Sequence, residues 1–509
     1  MKQFQYYIIK IAICIMLFGV QKLTAQANYL SGHIKGEEFI DGSKVSILIF
    51  SENSAKLGWL SLREPDSIIN VPLRKDGTFE LDFTPNSPLF YFRLIIFRGD
   101  SEIKELRRDF SHTPYLGESG DSIHVEINIG RDRVQFSGLG AEKLNCQYLL
   151  NRFKESSESR GPYYFMGPFN KVQPFTSFER IYLSNLAYRL TIIDQYDGII
   201  EQSVINLIKS NVVAASKFSF ASYLVTNSAF LSKDVTYALR EYFEGNNKIS
   251  KLLAEDMTLS DAPIYSDFIL KKCALQYKIE NSIIKPNPLD EDGQERYVDW
   301  MYNQIKNNYS GSLRDRLITN WLLDSGKDHH KYQAKVMDDA LSVIQEEKYI
   351  QVLNKFRHLS IENNKIYNFE FIDEDDKIHT SKNYLDKILI IDFWYTGCIN
   401  CTDIPPVLRI IKEEFKHRGD IVFLSVNVES SKKGWISGLQ SGLYTIPGQI
   451  HLKTPGIGRT DPFIMNYHIR SYPYLMVVGK NNMMLSVSPQ DPRDDQGRDI
   501  INIVRRAIQ

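Results

Sequence analysis

Cysteine is scarce in this chain. Five are spread over 509 residues, too few for a fold held together by disulfides. An excess of one charge is lacking too. Lys and Arg number 61 against 62 Asp and Glu, for a formal net charge of -1, and the basic residues are scattered. That removes the electrostatic footprint of a nucleic-acid-binding protein. No apolar run reaches the ~20 residues that span a bilayer as a helix. No repeat of regular period is present. What remains is an ordinary globular composition, 43% hydrophobic and 24% charged. A chain of this length exceeds one core and implies roughly three domains.

The N-terminus reads as a targeting segment. Lys2 and Lys10 precede the apolar run IAICIMLFGV, residues 11–20, and small residues follow at Ala25 and Ala27. Positive start, short apolar run and small cleavage-site residues are the parts of a secretory signal peptide, here over residues 1–25. The alternative is an N-terminal membrane anchor. Cys14 is not a lipidation site, because Ile13 stands where a small residue is needed and the cysteine lies inside the apolar run. Export would place the mature chain in the periplasm or cell envelope with Cys146, Cys273, Cys398 and Cys401. Paired thiols there tend to become disulfides. Cys146 and Cys273 are either buried free thiols or a bridge between helices.

Residues 28–140 read as all-β, a small sheet or sandwich. KVSILIF (44–50) and LFYFRLIIF (89–97) are rich in branched and aromatic residues. Between them, IINVPLRKDGTFELDF reads as a hairpin about Asp76-Gly77. At Ala141 the period changes. Leu144, Tyr148, Leu149 and Phe153 fall at helical spacing, and similar amphipathic segments recur to residue 358. Residues 141–358 are therefore a helical block, whose aromatic stripes read as core.

The third region, 363–509, alternates. YNFEFIDEDDKIHT reads as a hairpin with an acidic turn, and KILIIDFWY (387–395) as a strand buried on both faces. IPPVLRIIKEEFKHRG (404–419) reads as a helix closing at Gly419, and DIVFLSVNV (420–428) as a second buried strand. YPYLMVVGKNNMMLSVSP is a hairpin about Lys480-Asn481-Asn482, and a helix ends the chain. The order implies a mixed sheet with helices on its faces. The Gly-x-Gly in TPGIGRTDP (454–462) is not placed after a strand and reads as a loop.

Chemistry concentrates in FWYTGCINC, residues 393–401. Cys398 and Cys401 could form a redox centre, half of a zinc site or a structural staple. Zinc needs four ligands, yet no second Cys-x-x-Cys exists and His451 and His468 lack pair spacing. A Cys-x-x-Cys between a buried strand and a helix favours redox use. Helix N-termini present unpaired amides and a positive dipole end, which stabilise a thiolate. Cys398 is expected there as the exposed, attacking sulfur. Cys401 lies about one turn on, within reach to resolve a mixed disulfide. Asp392, inside ILIIDFW, is expected to be buried, where a carboxyl is harder to ionise. Trp394 is either core or part of the site's rim.

The segment from 363 to 509 resembles the thioredoxin superfamily, in its exported TlpA/ResA-like branch of Bacteroidetes type. DFWYTGCINC is similar to that family's strand, tryptophan and Cys-x-x-Cys run. The resemblance implies that Asp392 is the family's buried acid and accepts the Cys401 proton. It implies that Pro406 is the proline that kinks the first helix. From YHIRSYPYLMVVGKNN it implies that Pro473 is the cis-proline which, with Tyr472 and Trp394, receives a substrate strand. Residues 429–470 resemble that branch's inserted element. Ile399-Asn400 departs from the usual dipeptide, which helps set the reduction potential, so the direction of electron flow stays open. What the resemblance implies is a multidomain α+β chain acting as an envelope thiol-disulfide oxidoreductase. Its partners would be substrate proteins held by a mixed disulfide, with a membrane electron donor upstream and no dissociable cofactor or metal. The rival is a non-catalytic envelope binding protein carrying an accessory thioredoxin domain. Peroxide reduction fits less well, since no Pro-x-x-x-Thr-x-x-Cys arrangement precedes Cys398.

Overall fold

The computed structural model describes residues 26–508, apart from 37, 40, 52–64, 66, 99–100, 103–113, 132, 153–174, 227, 229–232, 246–249, 282–290, 325–329, 361–363, 456–457, 459–460, 468 and 470. The expected signal peptide and Phe153 lie outside these residues. Among the described residues, no helix is long and apolar enough to cross a membrane.

Among its described residues the first region holds nine strands: β1 (Asn28–Lys35), β2 (Lys44–Ser51), β3 (Ser67–Pro72), β4 (Thr78–Phe83), β5 (Leu89–Arg98), β6 (Ser101–Glu102), β7 (Tyr115–Glu118), β8 (Ser122–Asn128) and β9 (Arg133–Leu139). They form two sheets, β4-β1-β8-β9 and β3-β2-β5-β6, with β7 also on β5. The hairpin expected about Asp76-Gly77 is not one. The turn is there, with the Gly77 amide donating to the Arg74 carbonyl at 2.8 Å. Its arms diverge, β3 pairing with β2 and β4 with β1. A local turn signal says that the chain reverses, not which sheet receives each arm.

Strand period explains the packing. Ile47 and Ile49 of β2, with Phe90, Phe92, Leu94 and Ile96 of β5, fill the space between the sheets. The alternate residues Leu48, Phe50, Tyr91, Ile95 and Phe97 point the other way, onto helices. Both faces of β5 are covered, so it reads as an unbroken apolar run.

Nine helices follow among the described residues: α1 (Ala141–Arg152), α2 (Phe175–Asp194), α3 (Gln202–Thr226), α4 (Lys233–Phe243), α5 (Pro263–Glu280), α6 (Glu291–Asn308), α7 (Gly311–Asp324), α8 (His330–Val343) and α9 (Glu347–Ser360). Cys146 and Leu150 of α1, Ile193 of α2 and Ile205 and Ile208 of α3 cover the outer face of β2 and β5. Leu149, expected on the buried face of α1, is 44% exposed. A separate core joins α3 to α9 through Phe220, Phe268, Leu275, Ile305 and Leu317. Fully buried Asp315 accepts the amides of Gln345 and Glu346 at 2.7 and 3.0 Å and pairs with Arg314 at 2.9 Å. It satisfies donors just ahead of α9, which would otherwise be stranded.

The third region is a seven-stranded mixed sheet, ordered β11-β10-β14-β13-β12-β15-β16. Its strands are β10 (Glu370–Ile372), β11 (Ile378–Thr380), β12 (Ile388–Trp394), β13 (Ile421–Asn427), β14 (Ile450–Lys453), β15 (Tyr474–Val478) and β16 (Met484–Ser486). Its helices are α10 (Ile404–Glu414), α11 (Lys432–Gln440), α12 (Pro462–Asn466), α13 (Pro492–Asp495) and α14 (Arg498–Ala507). β12, β13 and β14 run parallel, and β15 lies antiparallel to β12. α10 stops at Glu414 with Phe415 as its cap, short of the expected Gly419. β14, unread in the sequence, joins the sheet from within 429–470.

Apolar clusters divide cleanly near residue 361. Among the described residues, those of the third region draw on residues 366–508 alone, and none shares a side chain with the earlier cores. The β and helical regions, by contrast, share one core across residue 141. Residues 364–508 produced alone are therefore expected to unfold cooperatively in urea, at the midpoint they show in the full chain. Residues 26–140 alone would expose Leu48, Phe50, Tyr91, Ile95 and Phe97, and are expected to aggregate in the same experiment.

Asp461 caps α12, its Oδ1 accepting the Phe463 amide at 2.8 Å, and is 3% exposed. Burial pushes its carboxyl up from 3.8 to about 6, against the pull of the Phe463 and Ile464 amides and the Lys453 ammonium. The folded value lies above the unfolded one. The native state then holds the extra proton between the two, and stability falls as pH rises from about 4 to about 6. Asp461→Asn keeps a capping side chain and is expected to flatten that slope, worth up to about 3 kcal/mol, in urea titrations of the domain.

Candidate redox site

β12 carries the site at its end. All seven of its residues are buried, as a central strand with both faces covered must be. Leu389, Ile391 and Phe393 point into one apolar layer, and Ile388 and Ile390 into the other, against Leu408 of α10 and Ile500 of α14. The period of two therefore sets Asp392 and Trp394 on the α10 face. Asp392 is 2% exposed, buried as expected. Ser425 flanks it on β13 and Leu475 on β15. The Tyr472–Pro473 peptide is cis. The last registered pair of β12 and β15 is Phe393 with Tyr474, so Pro473 lies beside the strand end where the cysteine motif begins.

Beyond Trp394 the chain turns at Gly397, whose φ of 89° is in the left-handed region that glycine tolerates. Cys398 then caps a short 3₁₀ helix, Ile399–Asp403, which leads into α10. The expected helix start is thus a tighter turn first. Pro405 and Pro406 fall in the first turn of α10, where a missing N–H is tolerated, just after the 3₁₀ turn gives way to the α-helix. Cys398 and Cys401 are joined in a disulfide with Cα atoms 5.3 Å apart. The Cys401 amide donates to Cys398 Sγ at 3.2 Å. Cys146 and Cys273 are free and buried in different cores. Among the described residues, no group of three or more His, Cys, Asp or Glu is placed to hold a metal ion.

Cys398 is not the exposed sulfur the sequence suggests. It is 3% exposed and Cys401 2%, although Gly397, Ile399 and Asn400 around them are exposed. The reason is an aromatic enclosure. Both sulfurs belong to one apolar cluster with Trp394, Trp435 and Tyr444, edged by Tyr395 and Tyr472. Trp394 proves to be core, fully buried, so it underlies the site and does not form its rim. Its Nε1 donates to Ser425 Oγ at 2.7 Å, and its ring stacks on Tyr444 at 4.7 Å and 8°. The Tyr395 and Tyr472 rings meet edge to face at 5.7 Å.

Three contributors escaped the sequence reading. Glu429, just after β13, accepts the Thr396 amide at 3.2 Å and ties down the motif's approach. Trp435 of α11 is fully buried in the cluster. Tyr444 accepts the Gly397 amide at 2.9 Å through its hydroxyl. All lie within 429–470, where the one available signal was aromatic residues in a segment otherwise punctuated by Gly and Pro.

With the geometry in place, the comparisons fall into line. Residues 386–484 match the family model described as thioredoxin-like, and this C-terminal region is a thioredoxin-like domain. Among solved structures, the chain is similar to the thioredoxin domain of a thiol-disulfide oxidoreductase from Bacteroides vulgatus, at 17% identity and a TM-score of 0.25, over 29% of this chain and 99% of that one. A thiol:disulfide interchange protein from a Bacteroides species matches at 18% and 0.24, over 29% and 89%. A thioredoxin-like protein from Bacteroides caccae extends further, over 53% of this chain and 93% of its own, at 13% and 0.32. No curated protein matches the chain.

Ser425 offers a check on how the site is held. Ser425→Ala strands the Trp394 N–H in a dry interior and is expected to destabilise the domain by about 1–3 kcal/mol, read from its urea midpoint.

Proposed function

We propose that the protein is a thiol-disulfide oxidoreductase of the bacterial envelope, of the TlpA-like kind, which exchanges disulfides with substrate proteins. The observation that carries this reading is the Cys398–Cys401 disulfide, set at the N-cap of a helical turn directly after the buried strand of a thioredoxin-like domain. A thiolate of the substrate attacks Cys398 Sγ. A substrate–Cys398 disulfide forms, the Cys398–Cys401 bond breaks, and its electron pair leaves on Cys401 as a thiolate. A second substrate thiolate then attacks the mixed disulfide and releases Cys398 as a thiolate. The substrate gains a disulfide and the protein becomes a dithiol. In reverse, the same steps reduce a substrate disulfide. No dissociable cofactor is required, because the electrons reside on the two sulfurs.

In this proposal the Cys401 amide, already aimed at Cys398 Sγ, stabilises the Cys398 thiolate. Asp392, on the α10 face of β12, takes the proton of Cys401 in the reducing direction, when the Cys401 thiol attacks the mixed disulfide, and returns it to the Cys401 thiolate in the oxidising one. Pro473, with no N–H to offer, and Tyr472 seat the substrate backbone, and Trp394 supports the floor beneath. Export by residues 1–25 and a membrane electron donor complete the scheme.

Insulin reduction tests it. Cys398→Ser is expected to lower the rate by about a hundredfold or more. Cys401→Ser, expressed in the host, is expected to hold substrate proteins in mixed disulfides that mass spectrometry identifies. Equal rates for Cys398→Ser and the native protein would overturn the assignment and favour the non-catalytic binding protein.

A further inference from the structure

Both sulfurs are buried although Gly397, Ile399 and Asn400 are exposed, and the cluster that encloses them includes side chains from outside the motif. Tyr444 meets the motif twice. Its hydroxyl accepts the Gly397 amide one residue before Cys398, and its ring lies flat on Trp394. It belongs to the cluster that contains Cys398 and Cys401. Its backbone sits outside that cluster, in the loop between α11 and β14. C-terminal to it, the loop is pinned. Ile446 is 2% exposed and packs with α10 residues, its amide donates to Gln449 Oε1 at 2.7 Å, and Lys412 of α10 donates to the Pro447 carbonyl. N-terminal to it, Ser441, Gly442 and Leu443 are all exposed. Gly442 has a φ of 68°, with nothing within 4 Å of where a Cβ would stand. What holds that side is hydrogen bonding, the Gly442 amide donating to the Leu439 carbonyl at 3.1 Å and the Leu443 amide to Ser441 Oγ at 3.3 Å, so rotation there moves Tyr444 by breaking these bonds and no side-chain packing at Gly442.

We infer that Tyr444 is a specificity-determining residue, a side chain that closes the Cys398–Cys401 disulfide to small thiols and yields to a polypeptide that displaces its ring. This deepens the exchange reading above and rests on it. On either side of the Tyr444–Gly397 contact, along the chain, lie the exposed apolar side chains Ile399, at 82%, and Leu443, at 54%. A protein partner with apolar residues beside its reacting cysteine can cover them as it moves the ring. A small thiol such as dithiothreitol gains nothing from them and must wait for the ring to leave. Its rate then scales with the fraction of molecules already open.

A gate changes rates and leaves equilibria alone. The test is stopped-flow reduction of the disulfide by dithiothreitol in the full chain, and its re-formation by oxidised dithiothreitol. In each direction one disulfide is consumed and one is formed. Tyr444→Ala is expected to raise both rate constants by the same factor, about tenfold if the open fraction is near a tenth, with their ratio unchanged. Tyr444→Phe keeps the stacked ring and loses only the hydroxyl, and is expected to show a smaller rise in the same sense. It also keeps the test open should the alanine variant fail to fold by circular dichroism. Rates equal to the native protein's in a folded variant overturn the inference. So does a change in one direction only, since that places Tyr444 in the redox equilibrium and not in access. The readout uses no protein substrate, so failure of native protein in insulin reduction counts against the exchange reading and not against the gate.

Discussion

The domain that holds the chemistry depends on one strand being dry on both faces. Ile388–Trp394 sits between β13 and β15 with every residue buried, and burial of this kind is the dominant favourable term in folding. Because the strand cannot shift by one residue without turning its apolar set to the wrong layer, its register is rigid. Asp392 and Trp394 are therefore placed as firmly as the isoleucines before them. The motif leaves this strand at a fixed point, the cis peptide lies beside that point, and α10 packs on the face that Asp392 shares. Precision at the sulfurs is inherited from the core.

That strand was also the most legible feature of the sequence. An apolar run with a lone aspartate, ending in a tryptophan and two spaced cysteines, carries its own context, and so do the hairpins flagged by Asp376 and by Asn481-Asn482, which all take positive φ. What the sequence hid was non-local. β14 is four residues long and half polar, so no period announces it. β3 and β4 look like a hairpin because the turn between them is real, while the pairing that separates them is decided by β1 and β2. The burial of Cys398 was illegible for the same reason, because its cluster takes in Trp435 and Tyr444 from another part of the chain.

The larger N-terminal part obeys a different economy. β2 and β5 carry apolar side chains on both faces, one set for the sandwich and one for α1, α2 and α3. A boundary at residue 140, plain in the change of period, is thus a change of secondary structure inside one packed body. The boundary near 361 is of the other kind, with separate cores on each side. The thioredoxin-like domain is joined to the rest as a module with apolar cores of its own.

Burial of the site raises a chemical question that the two remaining cysteines answer. Cys146 and Cys273 are enclosed much as Cys398 is, and desolvation pushes both thiols up to about 12, in Cys273 despite the Tyr309 hydroxyl. A thiol held at that value contributes almost no thiolate at neutral pH and is inert. Cys398 shares their enclosure. Two features separate it from them. One is the Cys401 amide aimed at its sulfur from the following turn. The other is that its cluster includes a loop side chain, Tyr444, whereas Cys273 lies inside a helical bundle. The buried strand, the capping turn and the aromatic cluster together hold the disulfide at one fixed place.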